Sequence, residues 1–149
     1  MSLRRRPSRP LMSMRSNDPV IASLPTVLIV DDDPLFRLLT RLLLESRGCT
    51  VSVADGCGEA LDVLGSAKPE VAIVDMVMPG EDGLETIAAM RARAGDLRFI
   101  ACSGHDADLF QAELAALQVS HFLAKPFTVE ELVVTIRQAM LGDGAAQAA

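Results

Sequence analysis

The sequence predicts an α/β fold in which one parallel β-sheet carries helices on both of its faces. Short apolar runs alternate with helical patterns five times between residues 25 and 141. Strict alternation of this kind implies parallel strands joined by right-handed crossovers. Two of the runs are apolar throughout, as expected of strands buried on both faces, and both end abruptly at an aspartate, Asp31 and Asp75.

Five strands are predicted along the chain. The first and third, residues 27–30 and 71–74, are the continuously apolar runs. The second, residues 51–53, alternates valine with serine, which is typical of a strand nearer the edge of a sheet. The fourth and fifth are predicted at residues 98–102 and 120–124.

The first helix is predicted directly after the first strand. Asp33 suits the N-cap position and Pro34 suits the first turn. The apolar residues that follow have the i, i+3, i+4, i+7, i+8 spacing of an amphipathic helix, and Gly48 ends it. They are Leu35, Leu38, Leu39, Leu42 and Leu43, and are called the leucine stripe below.

Four more helices are predicted. Three of them cover residues 58–64, residues 84–94 and the segment from a cap at Asp106 to about residue 117. The last begins at a capping box, because Thr128 and Glu131 stand three residues apart. Its buried stripe is predicted to contain Val129, Leu132, Val133, Ile136 and Met140.

Length and charge limit the domain organisation and the function classes. The 149 residues suit one domain, residues 25–141, between a disordered Arg/Pro/Ser-rich arm at 1–24 and a flexible tail at 142–149. The arm has five arginines and one aspartate, whereas the rest of the chain has 9 basic and 19 acidic side chains. Because a domain with this excess of negative charge would repel the phosphate backbone of a nucleic acid, we expect no direct nucleic-acid binding.

The cysteines and the hydropathy of the sequence indicate the cellular compartment of the protein. Cys49, Cys57 and Cys102 contain no Cys-x-x-Cys spacing, so neither a disulfide framework nor a zinc site is predicted. No apolar run approaches the ~20 residues needed to span a bilayer. We therefore expect a cytoplasmic protein with reduced thiols.

Chemically active side chains follow four of the five predicted strands. They are Asp31, Asp32 and Asp33 after the first strand, Asp75 after the third, Ser103 after the fourth and Lys125 after the fifth. In a parallel sheet these strand ends meet at one edge, where ligands bind in open α/β folds. Clustered carboxylates require positive charge, which a lysine and a hard, oxygen-seeking cation such as Mg²⁺ would supply.

This combination predicts chemistry at phosphorus. An aspartate beside Mg²⁺, a lysine and a hydroxyl can act as the nucleophile, while the other groups balance the charge on the phosphoryl oxygens. Each residue alone also fits a cap, a turn or a solvated loop. Their joint occurrence at four strand ends favours the functional interpretation.

The sequence resembles the receiver domain of two-component response regulators over residues 25–141. The motifs that carry the resemblance are Val27-Leu28-Ile29-Val30-Asp31-Asp32-Asp33, Val53-Ala54-Asp55-Gly56, Asp75-Met76-Val77-Met78-Pro79-Gly80-Glu81-Asp82-Gly83, Cys102-Ser103-Gly104 and Lys125-Pro126-Phe127. The resemblance implies a flavodoxin-like, doubly wound fold with strand order 2-1-3-4-5. It also implies a signalling module rather than a turnover enzyme. No output domain is predicted after Met140, so the signal should leave through contact with another protein or by onward phosphotransfer.

The resemblance further implies a role for each site residue. Asp75 would accept a phosphoryl group from a histidine kinase or a phosphotransfer protein, and Lys125 would contact that group. Asp31, Asp32, Asp75 and the backbone carbonyl of Val77 would hold Mg²⁺. Ser103 and Phe122 would form a switch pair that changes the face built from the fourth helix, fifth strand and fifth helix, where a protein partner binds. Dimerisation on phosphorylation is a further expectation, and the Lys125–Pro126 peptide is expected to be cis.

The side chain of Val77 bears on the lifetime of the phosphorylated form. It follows Asp75 by two residues, is apolar, and cannot orient an attacking water. We therefore expect slow self-dephosphorylation.

Two other functions remain open from the sequence alone. A phosphatase of the haloacid-dehalogenase type would use Asp31-x-Asp33, Ser103 and Lys125, but it leaves residues 75–83 unexplained. A pseudo-receiver would bind a partner without ever accepting phosphate, although every motif position is filled here.

Overall fold

The computed structural model of the chain describes residues 24–104 and 107–148. Apart from Leu24, the predicted N-terminal arm lies outside these residues, and so does the predicted cap at Asp106. Within the described part, no helix is both long and apolar enough to cross a membrane.

The strands form one parallel sheet, as predicted. They are β1 (Thr26–Val30), β2 (Thr50–Ala54), β3 (Val71–Asp75), β4 (Arg98–Ser103) and β5 (Phe122–Ala124). Their order in the sheet is β2-β1-β3-β4-β5, and all neighbours are parallel. This is the doubly wound, flavodoxin-like arrangement, with the switch in strand order between β1 and β3.

Five α-helices connect and follow these strands. They are α1 (Pro34–Glu45), α2 (Cys57–Ser66), α3 (Gly83–Arg93), α4 (Gln111–Ala116) and α5 (Val129–Ala148). A 3₁₀ turn, Ala107–Phe110, precedes α4, so the fourth helix is shorter than the predicted segment. A two-residue antiparallel ribbon, Val77–Met78 with Glu81–Asp82, lies between β3 and α3.

Three helix starts were predicted from side-chain caps, and the two that lie within the described residues are confirmed. Asp33 Oδ1 accepts hydrogen bonds from the backbone N–H groups of Leu35 at 3.0 Å and Phe36 at 3.4 Å. Thr128 and Glu131 bond each other's backbone N–H groups reciprocally at 2.9 and 3.0 Å. These bonds satisfy N–H groups that have no partner within the helix.

The core is divided between the two faces of the sheet. Leu28, Val30 and Val74 point to the layer covered by α2, α3 and α4. Ile29 and Ile73 point to the opposite layer, which is covered by α1 and α5. Alternation along buried strands therefore supplies both layers, and helices do cover both faces.

The leucine stripe does not face the core. A stripe with this spacing ordinarily packs inward, but its five leucines are between 42% and 61% exposed. The residues of α1 that are buried are Thr40 and Leu44, on a neighbouring face of the helix. The described residues thus leave a continuous apolar stripe on the surface of α1.

The last helix overlaps the segment that was predicted from the sequence to be a flexible tail. Where the sequence predicted a flexible tail from residue 142, α5 continues to Ala148. The segment contains no proline, and its alanines favour a helix, whereas Gly142 and Gly144 disfavour it. Flexibility of the segment stays a prediction.

Gly83 allows α3 to start directly against the end of β3. A Cβ atom at this position would lie 2.6 Å from the backbone oxygen of Asp75 and 2.6 Å from the Cα of Met76. No other residue type fits without moving that backbone. Gly83 therefore fixes the distance between α3 and the strand that carries Asp75.

Candidate functional site

Two buried carboxylates meet at the carboxyl edge of the sheet. Asp31 follows β1 directly and is 1% exposed, while Asp75 is the last residue of β3 and is 6% exposed. The backbone N–H of Asp31 continues the ladder by donating to the carbonyl of Ala54 at 3.1 Å. The sheet thus brings residues 44 positions apart together, as predicted from the strand ends.

Lys125 places its ammonium against both carboxylates. Its Nζ lies 2.8 Å from Asp31 Oδ2 and 3.5 Å from Asp75 Oδ2. Burial alone would lower the pKa of Lys125, but the hydrogen bond to Asp31 and the two negative charges outweigh burial and raise this pKa. Lys125 is therefore a cation at neutral pH. The predicted cis peptide between Lys125 and Pro126 is present.

Asp75 is held in a partly desolvated position. Burial is the main cause that raises its pKa, and the charge of Asp31 adds to it, although the backbone N–H of Val77 and the ammonium of Lys125 act in the opposite direction. The Val77 N–H donates to Asp75 Oδ1 at 3.1 Å. One oxygen is thus fixed by the backbone, while Oδ2 faces Lys125.

Three carboxylates are placed to hold a divalent metal ion. One oxygen each from Asp31, Asp32 and Asp75 lie within 4.8 Å of one another. Asp32 is exposed, whereas the other two are buried, so the site opens to solvent on the Asp32 side. An oxygen-only donor set with access to water fits Mg²⁺.

Asp33 is separate from this cluster. Its Oδ1 caps α1, and its backbone N–H donates to Asp31 Oδ1 at 2.9 Å. The Asp-x-Asp pair that a haloacid-dehalogenase site needs is therefore not formed, because Asp33 is used as a helix cap.

The predicted switch residues occupy neighbouring strands. Ser103 ends β4 and is fully buried, and its carbonyl accepts a hydrogen bond from the backbone N–H of Lys125 at 2.8 Å. Phe122 begins β5, is partly buried, and lines a cleft of about 630 Å³ beside α4. Cys102, the strand partner of Asp75, has its thiol pKa raised to about 12 by burial, so it remains a neutral thiol.

Two residues of α1 contact the site and were missed from the sequence. The Nη1 of Arg37 donates to the backbone oxygen of Asp31 at 2.7 Å. The ring of Phe36 lies 4.1 Å from the Nζ of Lys125, measured to the ring centroid. Their position one turn after the acidic run was a usable signal, since that turn must pack near the strand end.

Fold and site together define a class: flavodoxin-like domains with a carboxylate-rich, lysine-containing site at the carboxyl edge of the sheet. A family model described as the response regulator receiver domain matches residues 27–137. The chain therefore belongs to this family of two-component signalling modules, as the sequence motifs predicted.

Individual relatives agree with this assignment. The chain is 37% identical over 115 residues to a sensor kinase, CckA, of Brucella abortus, and 32% identical over 111 residues to the response regulator MprA of Mycolicibacterium vanbaalenii. These matches cover 76% and 74% of this chain but only 12% and 48% of the relatives. The chain thus spans less than half of the length of either protein.

Solved structures show the same fold. The chemotaxis protein CheY4 of Vibrio cholerae has a TM-score of 0.74 at 27% identity, covering 78% of this chain and 99% of that one. A response regulator from Burkholderia pseudomallei, solved with a phosphorylated aspartic acid, a calcium ion and citrate, has a TM-score of 0.72 at 27% identity. That match covers 83% of this chain and 71% of the other.

Proposed function

We propose that the chain is a single-domain, cytoplasmic response regulator that accepts a phosphoryl group on Asp75 from a histidine kinase or a phosphotransfer protein. The observation that carries the proposal is the pairing of two buried carboxylates, Asp31 and Asp75, with the ammonium of Lys125 in contact with both. The chain would not be a turnover enzyme, because its own residue is the acceptor.

The transfer is a substitution at phosphorus. A carboxylate oxygen of Asp75 attacks the phosphorus of a phosphohistidine, the P–N bond breaks, and its electron pair goes to the imidazole nitrogen, which then takes up a proton. An acyl phosphate remains on Asp75. Hydrolysis by water later restores the carboxylate and releases inorganic phosphate. The ammonium of Lys125 and the hydroxyl of Ser103 would stabilise charge on the phosphoryl oxygens.

Mg²⁺ would be held by Asp31, Asp32, Asp75 and the backbone carbonyl of Val77. Bound there, it would neutralise phosphoryl charge that the carboxylates alone repel. Arg37 contributes to this arrangement by holding the backbone of Asp31, which keeps the Asp31 side chain at the strand end.

The signal would leave through the surface formed by α4, β5 and α5. Ser103 would move towards the phosphoryl group, and Phe122 would turn into the space that Ser103 leaves. Phe122 lines the cleft of about 630 Å³ beside α4, so its rotation would change the shape of that surface. A protein partner, including a second copy in a phosphorylation-dependent dimer, would read the altered surface.

The leucine stripe offers a separate surface for the phosphodonor. It starts at Leu35, two residues after Asp33, and so extends away from the acidic cluster along α1. An apolar stripe on a monomer surface typically marks a protein contact. A helical donor packed on this stripe would lie beside the helix that begins next to the acidic cluster, which supports assigning α1 to docking and the surface of α4, β5 and α5 to output.

Acetyl phosphate provides a test without any partner. With Mg²⁺, the intact chain should gain about 80 Da, one phosphoryl group, detected by mass spectrometry at neutral pH. The Asp75→Ala variant should gain nothing. An unmodified wild-type chain would instead identify a pseudo-receiver, and an adduct retained in Asp75→Ala would place the acceptor elsewhere.

A further inference from the structure

The aromatic ring of Phe36 lies against the site lysine. The Nζ of Lys125 is 4.1 Å from the ring centroid, which is well within the distance at which a ring face attracts a cation. Phe36 is the third residue of α1 and lies three residues after Asp33, the last residue of the acidic run. The ammonium therefore contacts two carboxylates and one aromatic ring.

The ring itself is held in place by a second aromatic residue. Phe36 and Phe127 meet edge to face, with centroids 5.8 Å apart and planes at 87°. Both residues pack on the core layer beneath α1 and α5. Phe127 follows Lys125 by two residues, so the segment that carries the lysine also fixes the ring that contacts it.

We propose that Phe36 is a positioning residue that keeps the ammonium of Lys125 at the phosphoryl site; this rests on the function proposed above. The Lys125 side chain is 24% exposed, so its ammonium has an alternative in solvent. A ring face attracts the cation without adding a net negative charge, whereas a third carboxylate would repel the incoming phosphoryl group. The ring also adds no oxygen acceptor that would compete with phosphoryl oxygens for the N–H donors of the ammonium.

A purely structural role for Phe36 makes a different prediction. If the residue only fills space, changing the electron density of the ring at constant shape should not affect phosphorylation. If the ring holds the cation, weakening its negative face should slow phosphorylation while the fold stays intact. Fluorination of the ring separates these two roles.

The experiment incorporates trifluorophenylalanine at position 36 and compares it with the wild type, Phe36→Tyr and Phe36→Leu. The quantity measured is the second-order rate constant for phosphorylation by acetyl phosphate at fixed Mg²⁺. Phe36→Tyr should stay close to the wild-type rate. The fluorinated chain should be slower by roughly threefold, and Phe36→Leu by roughly threefold to tenfold, the range expected of such a contact.

Phe99 provides a matched control for fluorination. The guanidinium of Arg91 lies 4.9 Å from the centroid of the Phe99 ring. This is a second cation–ring contact, and neither of its residues belongs to the site. Trifluorophenylalanine at position 99 should leave the phosphorylation rate unchanged. An equal loss of rate at both positions would show a general effect of fluorination and overturn the proposal.

Proton NMR of Lys125 gives a readout that needs no phosphorylation. Ring currents from Phe36 should shift the Lys125 Hε resonances upfield in the wild type, and Phe36→Leu should remove the shift. Wild-type phosphorylation rates in both the fluorinated chain and Phe36→Leu would overturn the positioning role. If Phe36→Leu does not fold, the rate of the fluorinated chain alone tests the role. A wild type that shows the shift but is never phosphorylated would reject the proposed function, and the positioning role with it.

Discussion

The ammonium of Lys125 makes its shorter contact, 2.8 Å, with Asp31 and not with the proposed acceptor. Asp75 is 3.5 Å away from the same nitrogen. The lysine therefore compensates the charge of Asp31 more fully than that of Asp75. The Asp75 carboxylate remains poorly compensated when no metal ion is bound, which fits a nucleophile that has to react.

This imbalance predicts that Asp75→Asn stabilises the fold in EDTA. Burial raises the folded-state pKa of Asp75 above its ordinary 3.8, so the folded state binds the proton more tightly than the unfolded state. The ionised form is thus destabilising at pH 7, and the penalty disappears as the pH falls through the raised pKa. We expect Asp75→Asn to raise the Tm by a few degrees at pH 7 and by progressively less towards pH 4.

The control for this prediction is Asp62→Asn. Asp62 is an exposed residue of α2, so its replacement should leave the Tm almost unchanged at either pH. Circular dichroism is the suitable measurement, because the chain contains no Trp or Tyr for intrinsic fluorescence. A Tm difference between wild type and Asp75→Asn that does not depend on pH would contradict the electrostatic explanation.

Mg²⁺ affinity should distinguish two neighbouring aspartates. Asp32→Asn removes a carboxylate of the acidic cluster and should weaken Mg²⁺ binding by roughly tenfold or more. Asp33→Asn removes the same charge one residue later but keeps a good helix cap, and should retain the wild-type affinity within about twofold. Titration calorimetry measures both. Equal losses would mean that only the local net charge matters.

The residues that converge at the site were predictable because of the topology. In a parallel sheet the carboxyl ends of β1, β3 and β5 must meet at one edge, so the strand pattern alone brings Asp31, Asp75 and Lys125 together. The helix caps were predictable for a similar reason, since they depend on residues two or three positions apart. The position of Phe36 and Arg37 one turn after the acidic run indicated only that they lie near the site. Which groups they contact depends on how α1 is rotated against the sheet, which no local pattern specifies.

The leucine stripe shows the limit of periodicity. The spacing correctly identified one apolar face of α1 but not what that face contacts. Its neighbouring face, with Thr40 and Leu44, is the one that packs inside the domain. A hydrophobic pattern indicates that a surface is apolar. It does not distinguish a surface that packs in the core from one that binds another molecule.

Replacing a leucine of the stripe should separate docking from chemistry. Leu39 is 51% exposed. With a histidine kinase that phosphorylates the wild type, Leu39→Ser should lower the phosphorylation rate roughly tenfold. The rate with acetyl phosphate should remain within about twofold, because the site itself is unchanged. Leu141→Ser, at a residue that is 77% exposed on α5, is the control and should keep both rates. Equal losses with both donors would indicate damage to the fold.

Gly83 should tolerate no side chain. The atoms that a Cβ would meet at 2.6 Å belong to the backbone of Asp75 and Met76, which cannot move aside cheaply. We expect Gly83→Ala to lower the free energy of unfolding by about 2 kcal/mol or more. Gly65→Ala, in α2 with nothing within 4 Å, should be neutral or gain up to about 1 kcal/mol. Urea unfolding followed by circular dichroism tests both variants.

The lifetime of the phosphorylated form should depend on Val77. Its backbone N–H is bonded to Asp75, and its side chain is 48% exposed beside the site, where an apolar group cannot orient water. Val77→Asn should therefore accelerate the decay of phosphorylated Asp75 by roughly threefold to tenfold, because the amide can hold a water molecule close to the phosphorus. The decay is followed by mass spectrometry after removal of acetyl phosphate. Val134→Asn, equally 48% exposed but on α5, should decay as the wild type does. Equal decay in wild type and Val77→Asn would mean that access of water to the phosphoryl group is set by other residues.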